Sequence, residues 1–225
     1  MVINMDKSWV GEVYHKILEK EKKVAERSRD KIPYTTKNGV FDDRGKTEIC
    51  WWTNGFWGGI MWQLYHATGD PVYLENALAT EIKLDANLMN RQGMDHDSGF
   101  KWLPTSVAHY HVTGDMASRN RALLAADNLA GRFHPVGKFI RAWNNWDGNE
   151  DGSFAGRAII DCMMNLPLLY WAGDEIHDPR FYHIAKMHAD TAARYFIRAD
   201  GSAKHIIEFD AETGEYLHSV GGQGY

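Results

Sequence analysis

Cysteine is scarce in this chain of 225 residues. Only Cys50 and Cys162 occur, and neither stands in a CxxC or other metal-ligand spacing. Two buried free thiols in a reducing compartment are the expectation. Basic charge is not in excess either: the formal net charge is −5 and the isoelectric point about 6.1, so a nucleic-acid footprint is missing. No stretch approaches the roughly 18 consecutive apolar residues of a membrane span. The first nine residues lack the apolar core of a signal peptide. A cytoplasmic protein without a membrane or nucleic-acid partner is therefore expected. Aromatics, by contrast, are plentiful at 12%, with nine Trp and ten Tyr. That exceeds what a core alone needs and suits a surface that stacks on ring-shaped ligands. With 44% hydrophobic residues and no linker or low-complexity tract, residues 1–225 read as one domain.

A turn repeats along the chain. Thr68-Gly69-Asp70-Pro71 returns as Thr113-Gly114-Asp115-Met116 and as Ala172-Gly173-Asp174-Glu175. Gly suits the left-handed C-cap of the leaving helix, and Asp suits the N-cap of the entering one. A second loop type, glycine beside aromatics, precedes other helices: Trp52-Thr53-Asn54-Gly55-Phe56-Trp57, Asp97-Ser98-Gly99-Phe100-Lys101-Trp102 and Asp151-Gly152-Ser153-Phe154-Ala155-Gly156. Residues Gly221-Gly222-Gln223-Gly224-Tyr225 look like a fourth. Apolar spacing predicts helices near 8–28, 55–67, 71–90, 100–112, 115–132, 155–171 and 178–197. Alternation in His205-Ile206-Ile207-Glu208-Phe209 predicts an extended hairpin within 204–218. Helical hairpins with tight turns on one side and long aromatic loops on the other make an α/α toroid. The expected class is all-α, an (α/α)6 toroid with about seven of its twelve helices, whose open edge would favour self-association.

Two acids stand out. Asp161 lies inside the apolar run Ala158-Ile159-Ile160-Asp161-Cys162-Met163-Met164-Asn165-Leu166-Pro167-Leu168-Leu169. An isolated ionised Asp there costs several kcal/mol, which makes it a candidate acid or base with a raised pKa. Asp97, in Met94-Asp95-His96-Asp97-Ser98-Gly99-Phe100, is the second. The plainer alternatives are an Asp161 ion pair with Arg157, and Asp97 as a simple helix N-cap. Two acids among aromatics suggest glycoside chemistry. His109 and His111, two apart on one helix, cannot face one ion with His96 and Asp97, so no metal is expected.

These segments resemble the unsaturated glucuronyl hydrolases of glycoside hydrolase family 88: Trp52 to Trp57, Asp95 to Phe100, Ile159 to Cys162, Asn165 to Leu169, and Tyr170-Trp171-Ala172-Gly173-Asp174. The resemblance covers nearly the whole chain. It implies release of a 4,5-unsaturated uronic acid from the non-reducing end of lyase-generated oligosaccharides, by hydration of the C4=C5 vinyl ether without metal or organic cofactor. It implies Asp161 as principal acid/base and Asp97 as its partner. On the reading of the local sequence, Asp97 stays ionised beside a helix entrance while Asp161, within a helix, holds the raised pKa. The resemblance further implies Trp52 and Trp143 flanking the sugar, His96 and His205 near it, and Gln223 as a polar contact. The family's Trp-Arg-Gly-Gln-Ala-Trp-like segment is absent from these 225 residues. Related unsaturated rhamnogalacturonyl hydrolases, a sugar isomerase on the same toroid and an inactive uronate-binding remnant stay open as alternatives.

Overall fold

The computed structural model describes residues 7–145 and 154–221. In chain order the elements are α1 (Lys7–Arg27), β1 (Thr36–Lys37), β2 (Val40–Phe41), a single-turn α2 (Arg44–Thr47), α3 (Asn54–Thr68) and α4 (Pro71–Asn90). One rod then runs through α5 (Ser98–Trp102), a π-helical turn (Leu103–Val107) and α6 (Ala108–Thr113), followed by α7 (Met116–Ala130), β3 (Phe133–His134) and β4 (Phe139–Ile140). Next come β5 (Arg157–Ile159), a 3-10 turn (Ile160–Met164), α8 (Leu166–Ile176), α9 (Pro179–Tyr195), β6 (Ile206–Phe209) and β7 (Tyr216–Val220). Counting the α5–π–α6 rod once and leaving out α2, the described residues form seven rods.

The rods pair as hairpins: α3 with α4, the α5–α6 rod with α7, and α8 with α9. α3 packs on the α5–α6 rod and α5 on α8, while α1 lies against α4. This is the arrangement expected of an α/α toroid. Trp57, Met61, Trp62, Tyr73 and Ala77 fill the first interface; Leu84, Trp102, Leu129, Leu169 and Phe181 belong to the core of the next two. Ion pairs reinforce the outer helices. Arg121 of α7 reaches Glu81 of α4 at 2.9 Å, and Glu81 also bonds Nδ1 of His109 at 2.6 Å, whose ring stacks on Trp62 with centroids 4.4 Å apart. His109 is thus part of the packing between these helices.

The tight turns follow their expected chemistry twice. Gly69 and Gly114 cap α3 and α6 with φ of 70° and 76°, and the carboxylates of Asp70 and Asp115 accept from the N–H groups of Val72 and Ser118. The third turn is not at Ala172–Glu175. α8 continues to Ile176, His177 takes the left-handed position at φ 56°, and Asp178 caps α9 ahead of Pro179. Gly173 serves a different end, because a Cβ there would sit 2.9 Å from the Tyr182 ring of α9.

The helix expected over 155–171 is corrected more deeply. Ile159 and Ala158 pair with Ile206 and Ile207, so β5 is one edge of a three-stranded antiparallel sheet in the order β5-β6-β7. β-branched residues on both strands favour that pairing. A 3-10 turn follows, and Pro167 sits in the first turn of α8, where its missing N–H costs nothing. The expected hairpin in 204–218 is β6–β7. Cys162 is buried, whereas Cys50 is only partly buried; both are free. Among the described residues no helix is long and apolar enough to cross a membrane.

Every tight turn lies at one end of the hairpins. The long connections, 28–53, 91–97, 131–165 and 196–205, lie at the other, and one of them depends on a buried histidine. His188 of α9 is fully buried, its Nδ1 accepts from the N–H of Ile140 at 3.0 Å, and burial lowers its pKa to about 4 from 6.5. Between those values the unfolded chain binds a proton that the folded chain refuses, so stability rises with pH through this window. Acidification from pH 6.5 to 4 should remove about 3 kcal/mol through this group. Denaturant titration of His188→Gln, which keeps an acceptor but does not titrate, should show a visibly shallower acid decline than wild type.

Candidate active site

The long loops converge on one cavity of about 600 Å³, lined by Glu48, Cys50, Trp51, Trp52, Asp95, Asp97, Trp143, Ile159, Asp161 and His205. Five of the seven residues singled out in the sequence therefore line a common space although they come from four different connections. Gln223 lies outside the described residues. His96 is present but differs from the expected substrate contact: its side chain is 1% exposed and does not line the cavity. Its Nε2 lies 3.4 Å from Oδ1 of Asp97 and 3.7 Å from Oδ1 of Asp161. Among the described residues neither ring nitrogen has a hydrogen-bond partner. The imidazole is a wedge between two acids, and burial lowers its pKa.

Asp97 precedes α5, yet its carboxylate does not cap that helix. Instead its own N–H donates to Oδ1 of Asp95 at 3.0 Å, and Oδ1 of Asp97 accepts a long 3.4 Å bond from Nδ2 of Asn165. Burial first, then the negative charge of Asp95, raise its pKa to about 7. The expectation of a helix-stabilised, ionised Asp97 is overturned: desolvation outweighs a five-residue helix. Asp161 is not within a helix but on the 3-10 turn after β5, with 46% of its side chain open to the cavity. Partial loss of solvent raises its pKa, opposed by His96 when that ring is protonated and aided by the negative charges of Asp97 and Asp95. Arg157, the alternative partner for Asp161, pairs with Glu208 instead at 2.5 Å, and its guanidinium sits over the Phe154 ring at 4.1 Å and the Trp143 ring at 5.4 Å.

The aromatic walls are anchored from behind. Trp52, 39% exposed, packs on Phe56 and Phe100 with centroids 5.7 and 5.5 Å away, leaving ring surface for a ligand. His205 is half-buried, and its carbonyl accepts from the N–H of Ile160, next to Asp161. Two glycines allow the loops to close. A Cβ on Gly99 would fall 2.5 Å from Cα of Asn165, and one on Gly55 would fall 2.3 Å from the Phe100 carbonyl oxygen.

Three further residues hold this geometry, and the sequence reading assigned a role to none of them. Arg132 donates to the carbonyls of Met94 (3.1 Å), Arg141 (2.8 Å) and Ala142 (3.0 Å) and to Oδ1 of Asn144 (2.9 Å). It staples the loop of Asp97 to the loop of Trp143, helped by the N–H of His96 donating to the Ala142 carbonyl. Asn165 donates to Asp97 and accepts from the N–H of Phe100 at 2.9 Å. Lys101 is wholly buried beneath the floor. Only a charge inside an apolar stretch, such as Lys101 between Phe100 and Trp102, could have drawn attention.

Chemically, two carboxyls from separate loops, both held above their ordinary pKa, can trade a proton with a ligand bound between aromatic faces. Ligand atoms of His96, Asp97 and Asp161 also lie within 4.8 Å of one another, a spacing that a cation could share.

The comparisons concern the chain as a whole. The model of Glycosyl Hydrolase Family 88 matches residues 19–224. The unsaturated glucuronyl hydrolase of Bacillus sp. (strain GL1) is 39% identical over 174 residues, 77% of this chain and 45% of the relative. The unsaturated chondroitin disaccharide hydrolase of Streptococcus pneumoniae (strain ATCC BAA-255 / R6) is 33% identical over 223 residues, 98% and 54% of the two chains. The crystal structure of an unsaturated glucuronyl hydrolase from Bacillus sp. GL1, described as responsible for the degradation of glycosaminoglycan, superposes with a TM-score of 0.77 at 34% identity, over 88% of this chain and 53% of that one. The chain spans about half the length of the relatives it matches.

Because Asp97 holds its proton up to about pH 7 in the folded state, against 3.8 ordinarily, the folded chain binds the extra proton between these values. Stability therefore falls as pH rises through that window. Asp97→Asn should be more stable than wild type at pH 8, by about 2–4 kcal/mol, with the difference fading toward pH 4. Thermal or denaturant unfolding at the two pH values checks this, and equal stabilities at pH 8 would contradict it.

Proposed function

The chain belongs to Glycosyl Hydrolase Family 88, and on that premise we propose that its cavity hydrates the double bond of a 4,5-unsaturated uronic acid at the non-reducing end of an oligosaccharide. The observation that carries this reading is the meeting of Asp97 and Asp161 at one cavity, bridged by His96 at 3.4 and 3.7 Å. Relatives named for unsaturated glucuronyl and unsaturated chondroitin disaccharide hydrolysis make lyase-generated glycosaminoglycan fragments the favoured substrate class.

The steps follow from the chemistry of a vinyl ether. Asp161, whose carboxyl opens to the cavity, gives its proton to C4, and positive charge develops on C5 and the ring oxygen. The resulting carboxylate takes a proton from water as the water oxygen bonds to C5, which restores the acid. The hemiketal then opens at its C5–ring oxygen bond, and the hemiacetal left at C1 releases the remaining sugar as an alcohol. One water is consumed, and no metal or organic cofactor enters the scheme. Asp97 lies deeper and acts on charge: while ionised it steadies the cationic intermediate and raises the proton affinity of Asp161. Trp52 and Trp143 sandwich the ring, which suits pyranose faces. His205 donates to the substrate carboxylate.

The test is incubation of the full chain with an unsaturated chondroitin disaccharide. Ultraviolet absorbance of the conjugated double bond should decay, and Asp161→Asn should slow the decay by about 10²–10⁴-fold while leaving the circular dichroism unchanged. Disaccharide binding seen by calorimetry without any decay would overturn hydrolysis and leave a uronate-binding protein.

A further inference from the structure

Lys101 is a buried cation with no counter-ion in contact. It sits one turn after Asp97 on α5, where its backbone N–H donates to the Asp97 carbonyl at 3.2 Å, and its side chain is wholly buried. Nζ donates to the carbonyl of Cys50 and to Oδ1 of Asn87, both at 3.3 Å, and lies 5.1 Å from the centroid of the Trp102 ring. Among the described residues no carboxylate comes within ion-pair distance of it. Burying an ammonium without a paired carboxylate costs several kcal/mol, and two long bonds to neutral oxygens return only part of that. A methionine would fill the same tunnel at no such cost. The charge itself must therefore serve something nearby.

Its bond to the Cys50 carbonyl places the ammonium behind the cavity wall that Cys50 shares with Asp95 and Asp97. The titratable groups that interact with Lys101 include Asp95, Asp97, His96, Arg132 and the neutral thiol of Cys50. Those around Asp97 are Asp95, His96, Lys101, Arg132, Asp161 and Cys162, with Asn165 as hydrogen-bond donor. Arg132 spends its donors on carbonyls and on Asn144, and so reaches no carboxylate directly. Lys101 is the cation on the helix that carries Asp97.

We propose that Lys101 is a positioning residue of this site, a deliberately unpaired charge beneath the floor that keeps negative charge available on the Asp95–Asp97 pair. The pKa directions agree: burial lowers that of Lys101 while Asp95 and Asp97 draw it back up, and Lys101 is the foremost influence pulling Asp97 down against burial and Asp95. Without the lysine, Asp97 would stay protonated further into the alkaline range and could not support a cationic intermediate at neutral pH. That catalytic consequence rests on the function proposed above; the electrostatic coupling does not.

The coupling is read without turnover, by carbon-13 NMR titration of the labelled full chain. In Lys101→Met the Asp97 carboxyl should titrate about one pH unit higher than in wild type. Linkage is reciprocal, so in Asp97→Asn the Lys101 ammonium should titrate lower by a similar amount. That second variant removes a group whose burial opposes folding, so it decides the question even where Lys101→Met does not fold. Unmoved midpoints for Lys101 in Asp97→Asn, and for Asp97 in any folded Lys101→Met, would reduce the lysine to packing and overturn the proposal. The Asp97-dependent limb of the pH–rate profile should move with the NMR midpoint in Lys101→Met. Shifted midpoints in a wild-type chain without turnover would leave the coupling standing and refute the hydrolase reading alone.

Discussion

Taking the carboxyl group of Asp97 out of water beside a second acid is the constraint on which the rest of the site depends. Its pKa of about 7 is the signature of that burial. Left alone, such a group would open the loop to solvent, since water solvates a carboxylate better than any apolar wall. The structure closes the loop by other means. Arg132 binds four acceptors across two connections, Asn165 clasps α5 to the entry of α8, and Gly99 lets those backbones approach within a distance that any side chain would forbid. The destabilised acid is held by the hydrogen bonds of Arg132 and Asn165, as expected where a local cost is offset by the surrounding scaffold.

The hairpin architecture explains why the acids can be so close while remaining distinct. Tight turns with glycine and aspartate leave no room for variation at one end, so the longer connections collect at the other. Asp97 arrives on a seven-residue loop ahead of a helix. Asp161 arrives from an edge strand by way of a 3-10 turn. They come from separate connections, and His96 lies 3.4 Å from one and 3.7 Å from the other. Because its imidazole is buried and stays neutral, it separates the two carboxyls without supplying a charge that would pin them both in the ionised form.

Much of this was legible in the sequence, and the limits are physical. The glycine–aspartate turns at 69–70 and 114–115 carry their own capping chemistry, so the hairpins could be read locally. The turn assigned to Gly173-Asp174 fails because a helical glycine chosen for close packing on Tyr182 looks, in one dimension, like a C-cap. The run from Ala158 to Leu169 has the length and hydrophobicity of a helix, and only the distant partner strand at Ile206–Phe209 makes its first part extended. Asp97 and Asp161 could be chosen as the pair from residue type and resemblance. Which of them is buried could not, because that follows from the strand-to-turn geometry at 159–164. The roles of Arg132, Asn165 and Lys101 were invisible for a related reason: Arg132 and Lys101 bond backbone carbonyls and Asn165 bonds groups 65 and 68 residues away, and none of these contacts leaves a spacing in the chain.

The central claim is that these two acids work on a carbon–carbon double bond and not on the glycosidic bond itself. Turnover in deuterium oxide, followed by proton NMR, tests it most directly. The account predicts that the vinyl proton signal at C4 disappears in step with release of the neighbouring sugar, with one deuterium delivered to a single face of C4. Release of that sugar while the vinyl signal persists in the freed uronate would contradict it.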